Sequence, residues 1–205
     1  MDYNYNKTRI NKFNYFSNKN NDYFNNFNKP LYKHNFSFRN DNKYKSRDQY
    51  IFDRMKEEGM TNEGAASIVG NISLESRFSS VKYENAYKKK IGMTDQEYVD
   101  KTNSGEYDNF VWDQAGFGLV QWTYPKRKKD LLKFCNGDIG NFEKQVEFII
   151  YELKNYYPGV MRKLKTCNDL KQCCDKVVTE YEKPYGCNTN IVKNKRYNES
   201  LKYLP

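Results

Sequence analysis

The chain has 205 residues, with 35 Lys or Arg against 26 Asp or Glu, five cysteines and one histidine. That histidine, His34, lies in a stretch of low-complexity composition, so a Ser-His-Asp triad, a Cys-His nucleophile or a histidine-ligated zinc site has no imidazole to use elsewhere. Residues 1–48 carry ten of the basic residues against four Asp, which puts +6 of the net +9 on one end and leaves the remainder mildly basic.

The same 48 residues contain thirteen Asn and twelve Tyr or Phe but no Ala, Val or Gly, too little aliphatic volume for a core. This predicts a disordered Asn/Tyr/Lys-rich arm over 1–45 and a folded domain over 46–205. Residues 1–20 lack an apolar h-region and no apolar run reaches the length of a membrane span, so neither a signal peptide nor a transmembrane helix is expected. The cysteines form no CxxC pair and read as free thiols, with no metal and no cofactor expected.

Ser46 with Gln49 has the form of a capping box, and Ile51, Phe52 and Met55 give an apolar stripe that predicts a helix over 47–58, stopped by Gly59. Thr61 caps a second helix running to about residue 75, with Ala65, Ile68, Val69 and Ile72 on one face. Residues 77–105 read as irregular, apart from a short helix over 94–102. A small β-hairpin is expected next, from Tyr107 to Trp112 and from Leu119 to Trp122, with 116–118 between. Helical patterns follow over 125–134, 142–155, 169–181 and 190–203, with Asn141 and Asn168 as caps and Pro125 opening the first. The fold class is α+β, mainly α.

With histidine absent from this domain and no phosphate loop, the catalytic vocabulary reduces to carboxylates, tyrosines and lysines. Glu75 lies seven residues after Ile68, within about 20° of it around a helix of 3.6 residues per turn, on the apolar face. Desolvation and the negative end of the helix dipole both disfavour its ionised form, the direction a general acid needs. An alternative ends the helix one residue earlier and pairs Glu75 with Arg77. In the run from Ala115 to Tyr124, two glycines permit close backbone approach, and Gln121 sits beside rings that suit the apolar faces of sugars; an ordinary tight hairpin with core aromatics is the other reading.

Taken together, the 70–76 stretch Gly-Asn-Ile-Ser-Leu-Glu-Ser, Tyr87 to Asp95, the 109–113 stretch Asn-Phe-Val-Trp-Asp, Gly116 to Tyr124 and Tyr181-Glu182-Lys183-Pro184 resemble the phage tail lysozyme family, across about residues 48–203. The resemblance implies a lysozyme-like domain acting on bacterial peptidoglycan, cutting the β-1,4 bond between N-acetylmuramic acid and N-acetylglucosamine. It makes Glu75 the general acid and Gly118, Gln121 and Trp122 glycan contacts. Tyr87, Phe117 and Tyr124 are further candidate contacts. Asp113, expected opposite Glu75 across the cleft, is the candidate second carboxylate of a glycosidase pair, with a turn-forming aspartate as its other reading. Lys183 stands where the family usually has Arg, and Pro125-Lys126 where it often has an aromatic and Ser.

The resemblance further implies a virion-associated or wall-released, monomeric catalytic domain. Two readings of other classes compete: a glycan-binding or virion-structural module without turnover, and a basic aromatic arm that stacks on single-stranded nucleic acid.

Overall fold

Thr61, Thr94, Asn141, Asp169 and Thr189 each turn a side-chain oxygen onto a backbone N–H three residues on and so close the open end of a helix. Thr94 and Glu97 complete a reciprocal capping box. The computed structural model describes residues 46–205, so the expected disorder of the arm, and its proposed contact with nucleic acid, lie outside the described residues.

The described chain is mostly helical. In order come α1 (Arg47–Glu57), α2 (Asn62–Ser76), a 3₁₀ turn at Asn85–Tyr87 running into α3 (Lys88–Ile91), α4 (Asp95–Ser104), α5 (Pro125–Phe134), α6 (Phe142–Asn155), α7 (Pro158–Thr166) and α8 (Leu170–Lys176). A π-helical turn at Val177–Glu182, then α9 (Asn190–Ser200) and a last 3₁₀ turn at Leu201–Tyr203, complete it. Among the described residues no helix is long and apolar enough to cross a membrane. All five cysteines are free thiols, and only Cys187 is not buried.

The expected one-sided burial of α2 is exceeded: every residue from Gly64 to Ile72 is buried. Small side chains make this possible. A methyl group at Gly64 would stand 2.2 Å from the Leu164 carbonyl oxygen of α7, and one at Gly70 would stand 2.1 Å from Ser200 Oγ of α9. Helices therefore approach α2 on faces that larger residues would hold open.

The β-hairpin is not formed. Residues 107–113 wind into turns, with the Trp112 and Asp113 N–H groups both donating to the Asn109 carbonyl at 2.9 Å. Phe117 and Trp122 exchange both backbone hydrogen bonds, at 3.1 and 2.8 Å, around a tight turn. The neighbour of this turn is 82–84: Gly118 donates to the Lys82 carbonyl and Glu84 to that of Gly116, each at 2.8 Å. Gly118 has φ +72°, and a Cβ there would lie 2.6 Å from the Gln145 amide, so the position needs glycine. The Ser46 capping box is also absent, since Ser46 makes no side-chain cap and the Gln49 amide donates to Asp53 at 3.0 Å.

Candidate functional site

Glu75 lies in the last turn of α2, which ends where Arg77 adopts a left-handed conformation, φ 54°. Its side chain is 19% exposed and lies on the wall of a cavity of about 1440 Å³. Its carboxylate accepts a hydrogen bond from the guanidinium of Arg196 on α9, which also donates to the Asn71 carbonyl at 3.1 Å. The partner of Glu75 is thus Arg196, not Arg77. Lys82 Nζ donates to the Glu75 carbonyl oxygen at 3.2 Å, occupying the end of the helix.

Of the residues singled out in the sequence, Glu75, Tyr87, Gln121 and Tyr124 are brought together around this cavity. Gln121 turns its amide inward, donating to the carbonyls of Gly118 at 2.9 Å and Lys82 at 3.3 Å, so it braces the wall with its nitrogen. Tyr124 is 70% exposed at the rim, with Tyr185 fully exposed on the facing segment.

Phe117, Gly118 and Trp122 are placed behind the wall, because the rings are fully buried and Gly118 packs against Gln145. The Trp122 indole N–H donates to Glu152 at 2.9 Å, and Glu152 also accepts from Tyr181 at 2.8 Å and from Arg127 through two hydrogen bonds of 2.7 Å. Four donors on one fully buried carboxylate hold α5, α6 and the π-helical turn together beneath the cavity.

Asp113 is also off the cavity wall. Its carboxylate accepts from Lys128 at 2.6 Å, from the Tyr98 and Tyr107 hydroxyls at 2.7 and 3.0 Å, and from the Ala115 N–H at 3.0 Å. Every strong acceptor position of the group is used inside the protein, which leaves none facing Glu75 across the cavity.

A model of the phage tail lysozyme family matches residues 46–201. The chain belongs to that family. No curated protein matches it.

In this phage tail lysozyme domain two further carboxyl groups line the cavity, Glu84, which accepts from the Gly116 N–H at 3.2 Å, and Glu182. Glu182 closes the π-helical turn, and such turns occur frequently at functional sites. Burial, and next the charge of Glu75, push its carboxyl group up to about 8. The motif Tyr181-Glu182-Lys183-Pro184 marked this segment in the sequence, but nothing there tied it to Glu75. Arg196 carried no signal at all: it is one of several basic residues in a polar helix, 121 positions from Glu75.

Proposed function

We propose that this domain is a peptidoglycan-degrading glycosidase that cuts the β-1,4 bond between N-acetylmuramic acid and N-acetylglucosamine, with Glu75 as the general acid. The observation that carries the reading is a carboxyl group from a buried helix end meeting a cavity wide enough for several sugar rings, in a chain of this family. Exposed Tyr124 and Tyr185 at the rim supply ring faces for pyranose stacking.

Glu75 protonates the glycosidic oxygen, and water or the muramyl 6-hydroxyl then adds to the anomeric carbon. Tyr87, Gln121 and Tyr124 contact the glycan, while Phe117, Gly118 and Trp122 shape the wall from behind. Asp113 serves the fold, not the bond. Family membership also supports a virion-associated enzyme that reaches the wall from outside the cell.

The test is a digest of purified sacculi by the full chain and by Glu75→Gln, with muropeptides read by mass spectrometry. Parent protein releases new reducing ends if water completes the reaction and 1,6-anhydro ends if the muramyl hydroxyl does. Glu75→Gln loses about 10²- to 10⁴-fold in rate, the usual contribution of a positioned acid. Unchanged release by Glu75→Gln removes Glu75 from the role. Saturable binding with no new ends from the parent marks a glycan-binding module instead.

A further inference from the structure

Glu182 stands on the same cavity wall as Glu75 and differs from it in one respect: its Oε1 is fully buried and has no hydrogen-bond partner. An ionised carboxylate in that condition is costly, so the surroundings of Glu182 decide what state it holds.

Four helices turn charged groups toward it: Glu75 from α2, Arg127 from α5, Glu152 from α6 and Arg196 from α9. Both arginines are committed elsewhere. Arg127 is held by both oxygens of Glu152, and Arg196 by Glu75 and the Asn71 carbonyl. The Tyr181 hydroxyl is spent on Glu152, and Lys82 on the Glu75 carbonyl. On α7, Lys163 donates to Gln172 at 2.7 Å, and on α8 Asp175 lies 3.9 Å from Lys193. Lys183, the next residue, is exposed to water. Two guanidinium ions therefore face three carboxyl groups, of which Glu75 and Glu152 are paired and Glu182 is not. With no hydrogen-bond donor on its buried Oε1, Glu182 is the least compensated of the three when ionised, and so is where a proton costs least.

We propose that Glu182 and Glu75 act as one proton-sharing carboxyl pair, in which Glu182 holds the proton at rest and Glu75 delivers it to the glycosidic oxygen. The inference rests on the reading of Glu75 as the acid, and Glu182 is a positioning residue that acts through it. The proton passes from the Glu182 carboxyl to the Glu75 carboxylate through the cavity that both line. Glu75 gives it to the glycosidic oxygen as the C–O bond breaks and its electron pair leaves on that oxygen. The hydroxyl that adds to the anomeric carbon returns one proton to the pair. The raised affinity of Glu182 for its proton, to about 8, supports the same assignment.

The decisive measurement is the pH profile of sacculus digestion by the full chain, for the parent, Glu182→Gln and Glu75→Gln. Glu182→Gln removes the shared proton and the neighbouring charge, so the alkaline limb of activity moves down by about one pH unit or more, roughly a tenfold loss at pH 8 with activity recovered near pH 5. Glu75→Gln stays about 10²- to 10⁴-fold below the parent throughout. A uniform loss in Glu182→Gln, with the alkaline limb unmoved, overturns the pair. Activity retained in Glu75→Gln overturns the underlying reading instead, whatever Glu182 does. Should Glu182→Gln not fold, carbon-13 titration of the parent's glutamates decides: a Glu182 resonance titrating above pH 6 that moves down in Glu75→Gln supports the pair, and an ordinary carboxylate value overturns it.

Discussion

Lys128 is fully buried, and its ammonium donates to Asp113 at 2.6 Å, to the Ala115 carbonyl at 3.0 Å and to the Tyr98 hydroxyl at 3.1 Å. Burial pulls this ammonium below the usual lysine range, while Asp113 opposes the shift. Removing one partner of such a pair leaves an uncompensated buried charge. Asp113→Ala is expected to lower stability by about 3–5 kcal/mol, read as a lower urea midpoint, with sacculus digestion by the folded fraction retained at low temperature. Asp113→Leu with Lys128→Met costs less than either single change, because no charge is then stranded. Loss of digestion by a fully folded Asp113 variant would return Asp113 to the chemistry. The Asp113 side chain was legible in sequence only as a carboxylate near a turn. Its partner Lys128 sits fifteen residues on, inside a helix where Lys126, Lys129 and Lys133 are exposed.

At the scale of elements, the site depends on how closely α2 and α9 cross. A Cβ at Gly70 would fall 2.1 Å from Ser200 Oγ and 2.6 Å from Ser200 Cα, and backbone cannot yield as a side-chain tip can. Gly70→Ala therefore pushes α9 outward and draws Arg196 away from Glu75. The expected cost is about 1–3 kcal/mol, with a fall in digestion that outlasts correction for the folded fraction. Ser200→Gly beside Gly70→Ala removes the Oγ and Cβ part of the clash and recovers some of both. Helix starts were well read from sequence where a cap names itself, as at Thr61 and Asn141, whereas the cap expected at Asn168 is Asp169, whose carboxylate takes the Gln172 N–H. The helix α7 was not read, because Pro158-Gly159 has the form of a turn. In the fold Pro158 opens a helix whose Val160, Met161 and Leu164 are buried. The predicted helix over 169–181 splits into α8 and a π-helical turn, and from that turn the Tyr181 hydroxyl donates to Glu152.

For the whole molecule, four of the five thiols are buried, and burial raises Cys135 to about 12 and Cys174 to about 11 from an ordinary value of 9.0. The fold thus binds these protons more tightly than the unfolded chain does. Their contribution is intact below pH 9 and is lost as pH rises from there toward 11 and 12, at most about 1.4 kcal/mol per thiol per pH unit. Urea midpoints should be flat from pH 7 to 8.5 and fall steeply by pH 10.5. In the native protein a thiol reagent at pH 8 should label only Cys187, the other four reacting on unfolding; rapid labelling of all five would contradict their burial. What the amino-acid order alone determined was the helical class, most helix boundaries, the family and the place of Glu75, because caps, periodicity and short motifs are written within a few neighbouring residues. Only the tertiary structure decided that Arg196 pairs with Glu75, that Asp113 is sealed against Lys128, and that Glu182 shares the cavity with Glu75. Those facts depend on burial and on partners up to 121 positions away, and no local pattern encodes which of 26 carboxylates loses its water.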